Sequence, residues 1–260
     1  MLDVSSGRTL SGLRRIRRIP PHGTFAGIPS TEHPVRRPHP SERQVAPPTH
    51  ADRAAMKIDI HTHTKKCKSG DAYTREISPE DFCETILSTD VKIIAITNHN
   101  VFDLEQFDAI VSGLAGGAQV WPGIELDVVH GGVRGHLLVI VSPTHAKEFA
   151  GVVVGLMQDQ TPDNYTCSIA EVVESFDSLM PLYVAHYKQK RPNMSDEALE
   201  RLISAVRLPA RVIKEVTNAL SAGIYIAHGH ASIYGSDVHD WGTYGALAHQ
   251  LLIRMDTRRT

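Results

Sequence analysis

Cysteine, aromatic residues and long apolar runs are all scarce in this chain of 260 residues, and each scarcity closes off a class of protein. The three cysteines, Cys67, Cys83 and Cys167, are odd in number and form no Cys-x-x-Cys. A disulfide framework is therefore not expected, and a reducing, cytoplasmic setting is. No apolar run approaches the roughly 18 residues of a membrane span, and no basic start leads into an apolar signal core, so no membrane partner is expected. Phe, Trp and Tyr make up 6% of the chain, and beyond residue 56 they do not interleave with basic residues into a track for a long nucleic-acid strand. Lysine is missing from residues 1–55, which nevertheless carry nine arginines and eight of the 15 prolines. That stretch has neither a helical nor a strand period, and it reads as a disordered Arg/Pro-rich segment ahead of Met56, a candidate natural start. Its prolines argue against an amphipathic transit helix.

What is present suits one globular domain over residues 56–260. Hydrophobic content is 42% and the formal charge is -2, which names no partner. From residue 57 short β-rich runs alternate with helical ones, the pattern of parallel strands joined by helices. Lys57 to Ile60 is the first strand. Ser78-Pro79-Glu80-Asp81 opens a helix with a capping Ser, Pro at the first position and a buried stripe of Phe82, Ile86 and Leu87. Lys92 to Ile96 is the second strand, and Asp103 to Leu114 a helix that stops at Gly116-Gly117. Gly123 to Val129 and Gly135 to Val141 flank Gly131-Gly132 and read as an antiparallel hairpin. A two-residue loop puts His136 across from Asp127 and a four-residue loop puts it across from Glu125, and in either register Glu125 and His136 share a face. Further helices are expected over Thr144 to Met157, Ser168 to Leu179 and from Ser195, with strands at Leu182 to Ala185, Arg211 to Val216 and Ile233 to Gly235. Gly245 to Arg254 reads as a last helix. The total is six or seven strands, with no internal repeat.

The chemistry gathers at strand ends. His61-Thr62-His63 follows Ile58-Asp59-Ile60, and alternate residues of a strand face one way, so both rings can grip one ion through nitrogens at about 2 Å. Asp59 lies one step deeper on that face, either orienting a ligand ring or bonded to backbone. His99 closes the second strand, and His186 ends Leu182 to Ala185. Glu125 sits on an apolar strand where an unpaired charge costs several kcal/mol, a cost that a metal removes. Its two oxygens can bridge two ions. Asp237 and His239 repeat the one-residue spacing at the last strand. His228-Gly229-His230 has that spacing too, but it precedes its strand and is expected at the wrong end of the sheet. His130, His145 and His249 are expected in surface positions, Cys67 is a loop cysteine near the mouth, and Cys83 and Cys167 are structural.

Taken in order, the His-x-His, the Thr-x-His after the second strand, the Pro-Gly-Ile-Glu of residues 122–125, the later histidine and the Ser-Asp-x-His of residues 236–239 resemble the PHP (polymerase and histidinol phosphatase) family. The resemblance covers Ile58 to Trp241. It implies a distorted seven-stranded (β/α) barrel, similar to a TIM barrel, that holds two or three divalent ions: zinc, manganese or iron, with magnesium as a further candidate. Matched motif by motif, it implies His61, His63, His99, Glu125, His136, His186, Asp237 and His239 as ligands, with Glu125, Asp237 and His239 at the chemistry. Asp71, in the loop that replaces the family's Ser-Asp-Gly, is a further candidate ligand. Asn98 stands where members often carry an acid that helps orient the next histidine, and Tyr187 where proline is frequent.

The activity so implied is hydrolysis of a phosphate ester by metal-activated water. The expected substrate is a small phosphorylated metabolite, a nucleotide or a nucleic-acid end. Lys188, Lys190 and Arg191 are candidates to hold phosphate oxygens, as are Lys66, Lys68 and Arg75 in the first loop. The alternatives are a non-catalytic, metal-stabilised binding or scaffolding module and an amidohydrolase-type metal hydrolase. An ATPase or polymerase, as an attached domain or a separate protein, is a candidate partner.

Overall fold

A computed structural model of the protein describes residues 55–189, 192–248 and 253–254. The Arg/Pro-rich segment up to residue 54, the candidate phosphate contacts Lys190 and Arg191, and His249 lie outside the described residues. Among the described residues no helix is long and apolar enough to cross a membrane.

The first third follows the sequence signals closely. Strand β1, Ala55–Thr62, leads to helix α1, Pro79–Leu87, where the Ser78 hydroxyl accepts the Asp81 amide and Pro79 occupies the first turn. The buried stripe of α1 is Phe82, Cys83 and Ile86, while Leu87 at its end stays exposed. Strand β2, Val91–Ile96, precedes α2, Leu104–Gly113, whose cap is the Asp103 carboxylate accepting from the Gln106 amide. Gly116 then turns the chain at φ +84°, a conformation that only glycine adopts freely.

Strands β3, Gln119–His130, and β4, Val133–Ile140, form the expected hairpin. Its loop is the two-residue Gly131-Gly132, with φ of +57° and +78°, as a tight primed turn requires. The register pairs His136 with Asp127 and Leu138 with Glu125, so Glu125 and His136 project from one face. Helix α3 (Ala146–Leu156), the short strand β5 (Cys167–Ser168) and α4 (Ile169–Phe176, with a Ser168–Glu171 capping box) follow. After these come β6 (Leu182–His186), α5 (Asp196–Ala205), β7 (Val212–Glu215), α6 (Ala219–Ala227), β8 (Ser232–Ile233) and α7 (Tyr244–Ala248). The sequence gives no warning of α6. The helix expected over Gly245 to Arg254 covers only its first part, because Ile253–Arg254 is a strand, β9, antiparallel to the start of β1.

The nine strands make one mixed sheet ordered β8-β7-β6-β4-β3-β2-β1-β9, with β5 beside β3. Strands β1, β2 and β3 run parallel, as do β6, β7 and β8, and antiparallel β4 joins the two blocks. No ladder joins β8 to β1 among the described residues, so the closed barrel of the sequence reading is not present as a ladder. The sheet is curled all the same, because the chain leaving β8 returns to β1: the Asp237 amide donates to the His61 carbonyl at 3.0 Å and the Ser236 hydroxyl to the same oxygen at 3.1 Å. Ile60, Ala95, Leu138, Ile140, Val184 and Ile233 fill the inside of the curl. A larger apolar layer, including Phe82, Phe107, Phe149, Phe176 and Trp241, lies between sheet and helices.

A register shift between Asp59 and Thr62 interrupts the simple alternation expected for β1. Ile60 packs inward with Leu138, and Asp59 serves the seam: its Oδ1 accepts the Ser236 and His61 amides at 3.0 and 3.2 Å, and its Oδ2 accepts the Tyr244 hydroxyl at 3.0 Å. Of the two readings open for Asp59, a backbone-bonded brace is the one observed.

Candidate metal centre

His61 and His63 emerge from the bulged end of β1 fully buried. Their Nε2 atoms lie 3.1 Å apart. Asp237 Oδ1, brought across the seam, stands 3.5 Å from His61 Nε2 and 3.2 Å from His63 Nε2. Glu125 Oε2 stands 3.5 and 3.4 Å from the same two nitrogens. Ligands about 2 Å from a tetrahedral ion are separated by about 3.3 Å, and the two His nitrogens have that spacing with Asp237 and, separately, with Glu125. His99 Nε2 approaches Glu125 Oε2 to 2.5 Å from the other side. Three overlapping groups have the donors and spacing for an ion: His61, His63 and Asp237; His63, His99 and Glu125; and His61, Glu125 and His186.

Glu125 divides the site. While Oε2 faces His61, His63 and His99, Oε1 faces His136 Nδ1 at 2.5 Å and His186 Nε2 at 3.5 Å. Oε2 is buried and accepts no hydrogen bond despite its three neighbouring ring nitrogens. A desolvated carboxylate oxygen crowded by ring nitrogens without a well-aligned hydrogen bond is costly unless the nitrogens and the oxygen share a cation. The donor set of imidazoles and carboxylates suits zinc, manganese or iron, and the residues present fit such an ion.

Behind the rings stand groups that fix their orientation. Glu215, the last residue of β7, holds His61 Nδ1 at 3.0 and 3.1 Å and approaches His186 Nε2 at 2.9 Å. Glu215 is not among the residues expected from the sequence, although a carboxylate at the end of an apolar strand is the same signal that marks Glu125. Asp71, expected as a ligand, instead lies behind His99, its Oδ1 2.8 Å from Nδ1, while its Oδ2 accepts the Cys67 and Lys68 amides. Asp71 therefore supplies the orienting acid that Asn98 was expected to lack. Asn98 has a different task, accepting the Thr64 and Lys65 amides at 2.7 and 3.1 Å to pin the loop after β1. Asp127 contacts His136 Nε2 at 3.1 Å and is itself paired with Lys68 and, through two nitrogens, with Arg134.

Opposite charges at close range dominate the titration of the cluster. Burial opposes ionisation of Glu125, but the cations of His99, His136 and His61 outweigh it and hold the carboxyl well below its usual range. Burial likewise disfavours the His136 imidazolium, yet Glu125 and Asp127 raise it to about 9. His63 goes the other way, lowered to about 3 chiefly by burial. Its Nδ1 is buried without a partner.

At the rim the picture loosens. His239 is 56% exposed along its side chain, with Nε2 3.1 Å from Asp237 Oδ1 and 2.9 Å from Arg75 Nη2, and it belongs to none of the three donor groups. Asp237 holds a left-handed φ of 43°, unusual for an aspartate and imposed where the seam turns out of the sheet. A cavity of ≈ 420 Å³ opens here, lined by Arg75, Gln189, Thr217, Tyr234 and the ligand-type residues. Arg75 is the described basic residue that lines it. Lys188 is exposed, with its ammonium 5.1 Å from the Tyr187 ring centroid, and is not in the lining. Lys66 lies over Tyr73 and Lys68 is engaged by Asp127. Burial, with the Asp71 charge, pushes the Cys67 thiol up to about 12, which leaves it a poor ligand. His228 and His230 are exposed between α6 and β8 and belong to none of the donor groups.

No family model matches the chain, and no curated protein matches it. Solved structures that resemble it include one from Bifidobacterium adolescentis, named provisionally as a metal-dependent phosphoesterase, at 15% identity and a TM-score of 0.45, covering 74% of this chain and 90% of that one. An amidohydrolase from Chromobacterium violaceum, with bound sulfate and no metal, is 16% identical at a TM-score of 0.47 and covers 78% and 100%. A two-domain protein from Bacteroides vulgatus, whose name includes a PHP-like metal-dependent phosphoesterase, is 13% identical at 0.47 over 74% of this chain. This chain spans 55% of that protein's length.

Proposed function

We propose that the protein is a metal-dependent phosphoesterase of the PHP type, its curled sheet being that family's distorted barrel, and that it hydrolyses a phosphate ester at the centre built on Glu125. One observation carries the reading: a buried carboxylate whose two oxygens face two separate sets of ring nitrogens, His61, His63 and His99 on one side and His136 and His186 on the other. The order of motifs along the chain supports the phosphoester assignment.

Divalent ions held there would make water nucleophilic near neutral pH and offset charge on the phosphoryl oxygens. The remaining work falls to the chain. Glu125 bridges the two halves of the centre, and Glu215 locks the His61 ring so that Nε2 points inward. His239, 3.1 Å from Asp237 at the rim, can take part in moving a proton between water and the leaving oxygen, with the Asp237 carboxylate orienting its ring. The Arg75 guanidinium lines the cavity, where it can donate to a non-bridging oxygen. The ≈ 420 Å³ cavity admits a small phosphorylated metabolite, a nucleotide or the end of a nucleic acid.

The test is hydrolysis of aryl phosphate mono- and diesters, nucleotides and labelled oligonucleotides with manganese, zinc or magnesium supplied in turn. Metal-dependent phosphate release, abolished in His61→Ala and Asp237→Asn, is the expected result. Cleavage of amides in place of phosphate esters would replace the reading with the amidohydrolase one. Ion binding without turnover on any phosphate ester would leave a metal-stabilised binding module.

A further inference from the structure

Three residues with the chemistry of metal ligands surround one basic side chain: Asp71, His99 through its Nδ1, and His239. They converge on Arg75. Its Nη1 lies 3.1 Å from Asp71 Oδ1 and 3.0 Å from His99 Nδ1, and its Nη2 lies 2.9 Å from His239 Nε2. The guanidinium is buried, with the residue 4% exposed, yet it lines the cavity. Local structure holds it there: Tyr73–Arg75 form a short 3-10 turn, and the Trp241 indole donates to the Arg75 carbonyl at 3.1 Å, tying the turn to the segment after the seam.

We propose that Arg75 is a built-in cation at the third corner of the centre, standing between His99 and His239 where a further ion would otherwise lie, so that the protein binds two divalent ions and not three. The inference rests on the metal-centre reading above. A guanidinium keeps its charge across the physiological range and carries only donors, so it cannot share that space with a second cation. The donor groups agree: two of the three that have the spacing for an ion contain Glu125, the third is His61, His63 and Asp237, and none includes Asp71 or His239. Arg75 Nε is buried without a partner, so the guanidinium is fixed through its two terminal nitrogens. The two ions would then be held among His61, His63, His99, Glu125, His136, His186 and Asp237. The Arg75 corner contributes fixed positive charge towards an anionic substrate oxygen in place of an exchangeable ion.

The experiment is to grow crystals of the manganese-loaded protein and locate the ions by anomalous scattering, with ion content in solution measured on the same preparation. Two ions on the Glu125 side, with the guanidinium between His99 and His239, are expected. An ion between His99 and His239, with Arg75 displaced, would overturn the inference and leave the phosphoesterase reading intact. A protein that takes up no ion at all would overturn both. Arg75→His puts a ligand where the cation was and should raise the content from two to three, while Arg75→Lys should keep it at two. A folded Arg75→His that still takes two would count against the inference. If neither variant folds, the ion positions in the unaltered protein decide it.

Discussion

Two histidine pairs in this chain have the same spelling and opposite fates. His61-Thr62-His63 lies at the C-terminal end of β1, fully buried, with Asp237, Glu125 and Glu215 around its rings. His228-Gly229-His230 lies just ahead of β8 and is exposed, and neither ring belongs to a donor group. The difference is one of position, because parallel strands deliver their C-terminal ends to a common mouth and their N-terminal ends to the opposite face. Spacing decides whether two rings can face one ion. Place in the sheet decides whether other ligands meet them there.

The largest effect that breaks this contrast is expected from Gly235, which lets the seam approach β1. A Cβ at that position would lie 2.6 Å from the His61 Cβ and 2.5 Å from Glu215 Oε1. Gly235→Ala should therefore displace His61 from its brace, abolish ion binding and destabilise the fold by about 1–3 kcal/mol, as overpacking does. Denaturant unfolding together with ion content checks it, and a variant with native ion content would show that the seam is looser than described. Next comes Glu215→Gln, which keeps the shape and removes the charge behind His61. A fall of about 10–100-fold in ion affinity is expected, and an unchanged affinity would reduce Glu215 to a packing residue.

Ion binding should also depend on pH in a definite direction. Burial opposes the charge on His136, but Glu125 and Asp127 raise its pKa to about 9, so the ion-free cluster carries a proton near neutrality that an ion must displace. Affinity should therefore strengthen as pH rises towards about 9 and weaken below it. Calorimetry in two buffers of different ionisation enthalpy should register proton release, and heats independent of buffer would refute it. The smallest effect belongs to the second pair: His228→Ala and His230→Ala should leave ion content unchanged and stability within about 0.5 kcal/mol.

Much of the architecture was legible because its signals are local. Ser78 and Asp103 are caps at helix starts, and Gly131-Gly132 forces a tight turn whose length selects the register that pairs His136 with Asp127. What escaped was non-local. The bulge between Asp59 and Thr62 is set by pairing with β2, so strict alternation misplaced Asp59. Asp71 and Arg75 lie in an irregular loop, where no period says which way a side chain points, and their place behind His99 follows only from the fold. The seam is a few backbone bonds between segments 175 or more residues apart, which no sequence pattern announces. Glu215 is the exception, since the reasoning that marked Glu125 applied to it unaltered.

The most direct test of the account is the ion content of the purified, manganese-loaded protein and of its Glu125→Gln variant, measured by mass spectrometry alongside thermal unfolding. The account predicts two ions per chain in the unaltered protein, and in the variant the loss of at least one with folding retained. An unaltered protein that binds no ion, or a variant whose ion content matches it, would contradict the claim that Glu125 joins the two halves of a metal centre.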